Sequence, residues 1–298
     1  LCLQIQKGGR REMKKSLSVI LALLSFSLLF SSCGKNEKAE EPKEELSHVQ
    51  FMDGEGNPGG KRIYKYNLAG LVADMSVSDS LGEGVLYESY KYDSDGNMTV
   101  KDVYSETEHE KHDYAYKNGL LYTEEITQEP IKNEKKSENE DAEATEERES
   151  LPYRKDTYSY NSDGEKEEVK STNRDGKVTE IRRYIYDDNN RAKKERIYDG
   201  SENYLGGTEY TYEGKNEEPV LTEYVGEASA KFSKEEMTYS GENLVKTVRY
   251  DKSGAVSEII TVEYDEKGRR SVVTRTDADG TVNAINKYYY ENFVSLIG

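Results

Sequence analysis

The sequence predicts an all-β chain: tandem antiparallel β-hairpin repeats of about 26 residues, forming an open twisted sheet or short superhelix, behind a signal-peptide helix and a charged tether. Three observations predict it. A tyrosine recurs with a fixed period, each recurrence is followed by turn-forming residues, and no segment past residue 51 keeps the 3.6-residue apolar stripe of a helix. The composition agrees. Of 298 residues, 34% are hydrophobic and 34% charged, with 25 Tyr and no Trp. A chain this polar cannot fill a thick spherical core, because apolar burial must offset the entropy of ordering each residue. A thin architecture with its core spread along its length satisfies that constraint.

The first elements are addressing signals. Residues 1–12, with Gly8-Gly9-Arg10-Arg11-Glu12, read as spurious upstream translation, and Met13 as the start. Residues 13–32 read as a signal peptide: Lys14-Lys15 form a basic n-region and Leu17 to Phe30 an apolar h-region of 14 residues, short of the about 20 a spanning helix needs. Leu29-Phe30-Ser31-Ser32-Cys33 resembles the lipobox of bacterial lipoproteins. That resemblance implies that the Cys33 thiol is acylated and becomes the mature N-terminus. The chain would then be lipid-anchored, extracytoplasmic, and placed at the outer membrane or cell surface. Residues 33–50 then read as the lipidated Cys and a charged tether. Its acidic start is similar to the surface-export signal of lipoproteins in Bacteroidota-type bacteria.

The repeats occupy residues 51–127 and 151–298. Their defining tyrosines are Tyr66, Tyr92, Tyr116, Tyr160, Tyr186, Tyr212, Tyr239, Tyr264 and Tyr290, most of them closing a Tyr-x-Tyr pair. All intervals lie within two residues of 26 except the 44 between Tyr116 and Tyr160. That excess matches residues 128–150, an acidic insert expected to be disordered. In each unit the Tyr pair ends one strand, with both rings on one face. Asp or Asn followed by Gly makes the turn, and a second strand returns, as in Leu244 to Tyr250. Roughly 18 strands result, each expected beside its sequence neighbours. Lacking a following hairpin, Tyr290 is expected to be less covered than internal members such as Tyr186 and Tyr264 and cheaper to remove.

Tyr92-Asp93-Ser94-Asp95-Gly96-Asn97, Tyr186-Asp187-Asp188-Asn189-Asn190-Arg191 and Tyr264-Asp265-Glu266-Lys267-Gly268-Arg269 resemble the YD-repeat, or Rhs-type, proteins. The resemblance spans about residues 60–292 and implies hairpins coiled into a sheet. In the large members such hairpins form a shell that can enclose a toxin. Nine units look too few to close one here, so an open array is the expectation.

No catalytic, metal or cofactor-binding set emerges. His109 and His112 face opposite sides in a strand and are expected in a solvated loop, and His48 falls in the tether. Asp93-Ser94-Asp95-Gly96-Asn97 has its Gly at the fourth place and Tyr104 at the twelfth, so it reads as a turn with a Gly bulge and not as a calcium loop. Asp79-Ser80-Leu81 matches a short O-glycosylation acceptor pattern, with Ser80 as the acceptor. The net charge of −17 argues against nucleic acid as a partner, and none is expected. The expectation is a non-enzymatic cell-envelope lipoprotein. Its membrane contact runs through Cys33, and its repeat sheet is a binding or adhesion surface for glycan or protein. The alternatives are a glycan-processing enzyme using dispersed carboxylates and a purely structural spacer.

Overall fold

The structure is a computed structural model describing residues 44–130 (except Glu106), 152–226 and 231–292. Cys33, the signal peptide and most of the acidic insert lie outside the described residues. The strands are β1 (Glu44–Asp53), β2 (Pro58–Tyr66), β3 (Val72–Ser78), β4 (Gly84–Tyr92), β5 (Met98–Tyr104) and β6 (Glu108–Lys117). Next come β7 (Leu120–Pro130), β8 (Arg154–Tyr160), β9 (Lys166–Asn173), β10 (Val178–Tyr186), β11 (Ala192–Asp199) and β12 (Tyr204–Thr211). The last are β13 (Leu221–Gly226), β14 (Lys234–Ser240), β15 (Asn243–Tyr250), β16 (Val256–Tyr264), β17 (Arg270–Thr276) and β18 (Val282–Asn292). No helix occurs among the described residues.

Each strand pairs antiparallel with its sequence neighbours, and β1 pairs with both β2 and β18. The sheet therefore closes into an 18-stranded up-and-down barrel, which corrects the expected open sheet or superhelix. Nine units suffice because a single ring of strands needs no further layers. The strand that closes the ring is β1. Its first seven residues fall in the stretch expected to be tether, and its ten residues contain no Tyr pair to announce a strand. Likewise Gln128, Glu129 and Pro130, expected in the insert, extend β7.

The turns explain the curvature. At Asn67, Asp93, Asn161, Asp187 and Asp265 the N–H donates to the carbonyl four residues on, and the side-chain Oδ1 accepts from the second and fourth following N–H groups. The fourth residue of the turn has φ of +74 to +84 and is Gly, except for Asn190 at +60. Each such turn is followed by one extra residue in the returning strand. The register slips at Lys65/Tyr66, Lys91/Tyr92, Ser159/Tyr160, Ile185/Tyr186 and Glu263/Tyr264. A bulge bends its strand and increases the local twist, and its repetition around the sheet rolls that sheet shut.

The repeat tyrosines, Tyr212 excepted, sit at such register slips, and all of them bind one unit to the next. Each hydroxyl donates to a carbonyl at or near the start of the preceding strand: Tyr66 to Leu46, Tyr92 to Val72, Tyr116 to Met98, Tyr160 to Leu121 and Tyr186 to Lys166. Tyr212 reaches Ala192, Tyr239 Pro219, Tyr264 Leu244 and Tyr290 Arg270, over 2.7–3.2 Å. Tyr290 makes the same bond as the others and lies opposite Leu46, as Tyr66 lies opposite Val72. β1 is thus the return strand of the last hairpin, supplied from the other end of the chain. This overturns the expectation that Tyr290 is uncovered. At the same seam Glu44 accepts from Lys267 at 2.7 Å and Arg269 at 2.6 Å.

Candidate functional site

Cross-strand partners share a face of the sheet, so the register assigns every strand residue to the inside or outside of the barrel. Among the described residues, all the buried aliphatic, charged and hydroxyl side chains except Ile181 and Asp102 fall on the face that carries the Tyr pairs. That is the concave face, where side chains converge. Eighteen strands at ~4.8 Å spacing give a perimeter on the order of 86 Å before tilt, a strand number at which barrels keep an open interior.

The convex face carries charge along the middle of its strands, for example Lys65, Lys111, Lys155, Arg183 and Lys194. Several meet an acidic cross-strand partner: Lys155 and Glu125 at 2.7 Å, Lys194 and Glu209 at 2.7 Å, Arg183 and Glu168 at 2.9 Å. A membrane-spanning barrel needs an outward apolar band ~25 Å tall, and a Lys or Arg at the bilayer midplane costs about 2–4 kcal/mol. This outer surface suits water.

The lumen is polar and mostly neutralised in local clusters. His112 on β6 has Glu124 Oε1 2.7 Å from Nδ1 and Glu110 Oε1 2.7 Å from Nε2. Tyr158 donates to the other Glu124 oxygen and Tyr153 to the other Glu110 oxygen. Burial opposes charge on this imidazole, but the bonds to Glu124 and Glu110 outweigh it and raise the His112 pKa. Burial likewise opposes charge on Glu124, and His112 and Tyr158 outweigh it to hold the carboxyl below its usual range. Burial, with Glu110 adding to it, pushes Tyr153 up to about 12.

Elsewhere in the lumen Arg154 holds Asp156 bidentately at 2.8 Å, Arg182 meets Glu180 at 2.7 Å, and Arg249 bridges Glu235 and Glu258 at 3.0 and 2.8 Å. Tyr90 donates to Glu88, with Lys101 3.4 Å from the same carboxylate. Two lumenal arginines differ. Arg62 on β2 and Arg275 on β17 each have a buried Nε without a hydrogen-bond partner, although Glu258 acts on Arg275 through space.

His109 faces outward, 2.9 Å from Asp102 and stacked on Tyr104, so the two histidines do lie on opposite faces. Both are strand residues on carboxylates, which corrects the expected solvated loop. His48 belongs to β1 and stacks on Tyr289 with centroids 4.5 Å apart. Ser80 is exposed in the β3–β4 turn. Asp93 makes the bulged turn, with Gly96 donating to its carbonyl. No group of three or more His, Cys, Asp or Glu suited to a metal ion occurs among the described residues. The lumenal charge clusters escaped the sequence reading, although one signal could have found them: Glu110, His112, Glu124, Asp156 and Arg182 alternate in phase with the tyrosine pairs, directly or through a cross-strand partner.

The site and fold together define a closed up-and-down β-barrel with a polar, tyrosine-lined interior. Neither the protein-family models nor the curated proteins contain a match to this sequence. Among solved structures it is similar to a porin-like protein from Bacteroides uniformis (12% identity, 83% of this chain and 98% of that one, TM-score 0.40). It is also similar to a porin-like protein from Bacteroides vulgatus (9% identity, 84% and 100%, TM-score 0.32). A third is the Photorhabdus luminescens Tc holotoxin pore (11% identity, 83% of this chain but 15% of that one, TM-score 0.29).

Proposed function

We propose that the chain is a non-enzymatic, lipid-anchored protein of the bacterial envelope, of YD-repeat type, whose barrel holds a polar ligand in its lumen, a saccharide before a protein. The observation that carries this reading is the contrast between the two faces of one sheet. The convex face is salt-bridged and suited to water, while the concave face gathers tyrosine rings, carboxylates and arginines into an enclosed wall. Such walls suit hydroxyl-rich ligands, whose rings stack on aromatic faces and whose hydroxyls find charged acceptors and donors.

Binding is favoured over glycoside cleavage by the state of the carboxylates. Asp156, Glu180, Glu235 and Glu258 are each engaged by an arginine and Glu110 and Glu124 by His112, whereas a general acid needs a carboxyl whose proton is held near neutral pH. Cys33 and the polar outer face together favour attachment at the membrane by lipid, with the barrel outside the bilayer. The test is a glycan array on the purified chain, repeated with Tyr158→Ala and with the outward-facing Lys155→Ala. Binding lost only in the lumenal variant supports the reading. Binding unaffected by Tyr158→Ala, or turnover of the bound glycan, refutes it.

A further inference from the structure

From the two unpaired lumenal arginines we infer that the barrel seam contains an oxyanion seat, for the carboxylate or sulfate group of an acidic saccharide. The inference rests on the lumenal-binding reading and locates one part of it. Arg62 retains 5% exposure and its Nε has no partner. Leaving a charge of this kind buried and unpaired is costly, and every other lumenal arginine described above has a carboxylate. The chain has 59 acidic against 42 basic residues, so partners were not scarce.

The register places the two arginines around common ground. Arg62 lies opposite Val49, and Val49 opposite Tyr288. The Arg62 guanidinium leans over Phe51, 5.9 Å from its centroid, and Phe51 pairs with Asn286. Arg275 pairs with Ala284, the next inward residue of β18 beyond Asn286. Arg62 thus leans from the level of Tyr288 toward that of Asn286, and both arginines act electrostatically on Tyr288, whose strand lies between theirs. The Glu258 carboxylate is held by Arg249 at 2.8 Å and acts on the neighbouring Arg275 through space, without a hydrogen bond to it. A guanidinium presents two parallel donors that match a planar or tetrahedral oxyanion, and here two of them flank the seam strands β18 and β1 from either side.

The test uses the purified full chain and calorimetric titration at low ionic strength with glucuronate, inorganic sulfate, and glucose as a neutral control. Saturable binding of glucuronate or sulfate, weakened at least tenfold in Arg62→Gln and in Arg275→Gln but unchanged in the outward-facing Arg183→Gln, is the expected result. Sulfate binding without glucuronate binding identifies a sulfate ester as the group held, and the reverse identifies a uronate. A second measurement covers variants that fold poorly. Arg62→Met should raise the thermal midpoint of the unliganded chain and abolish its further rise with anion, whereas an arginine retained for packing on Phe51 would lower it. No anion binding by the wild type, or equal binding by all variants, overturns the seat. If a neutral glycan still binds, the lumenal reading survives that failure.

Discussion

Replacing Tyr290 by Ala should destabilise the barrel as much as replacing Tyr212, although one residue lies in the last strand and the other in mid-chain. The structure gives both residues the same three interactions. Tyr290 donates to Arg270 at 3.0 Å and lies under the Arg269 guanidinium at 4.1 Å, while Tyr212 donates to Ala192 at 2.7 Å and lies under Arg191 at 4.4 Å. Losing a half-buried ring costs about 1–2 kcal/mol, the hydrogen bond about 1 and the cation–π contact about 0.5–1. The sum is on the order of 3 kcal/mol at each site. Tyr264→Ala, without an arginine over its ring, should cost slightly less. Urea unfolding followed by tyrosine fluorescence measures all three. A cost for Tyr290→Ala below half that for Tyr212→Ala would refute the reasoning, because only an array with a free end weakens its last repeat.

Other consequences can be checked independently. Cys33→Ala should abolish acylation and detergent partitioning while leaving the far-ultraviolet circular dichroism of the barrel unchanged. Deleting Lys132 to Glu149 should change the urea midpoint little, since loop-closure entropy varies slowly with length; a loss of several kcal/mol would show the insert packed on the sheet. The folded pKa of His112 is raised, so its contribution is complete below the unfolded value near 6.5 and is lost as pH rises through the folded one. Stability of the wild type should therefore decline above neutrality relative to His112→Gln, and parallel pH profiles would exclude the imidazolium. Asp187, held down to about 2 by Arg191 and the turn N–H groups, contributes above pH 3.8, so Asp187→Ala should erase part of the acid-side loss below that pH.

The hairpins were legible because each depends on local chemistry. Tyr-x-Tyr, Asx and Gly appear at the spacing at which the turns form, and Asp93 is as much a turn former in the structure as its neighbours imply. Closure was not legible. It depends on the extra residue after each turn, which leaves no compositional mark, and on β1, whose Glu44-Glu45-Leu46-Ser47-His48 reads as more of the charged stretch before it. A strand with no tyrosine pair is recognisable only once its partners β2 and β18 are in place. The lumenal pairs were hidden for a related reason. Arg249, Glu235 and Glu258 come from three strands, and nothing in any one of them announces the other two.

The split of the final hairpin between the two ends of the described chain also dictates an order of events. Glu44 pairs with Asn292, so the seam joins the first described strand to the last. A chain emerging N-terminus first makes seventeen strands' worth of hairpins before β18 exists to meet β1. Until then it presents two bare strand edges, β1 and whichever strand was made last, each able to recruit a foreign strand. The Glu44 contacts to Lys267 and Arg269 add opposite charge where those edges must find each other. The barrel is in this sense a clasp: every link forms locally and early, and the fastening comes last.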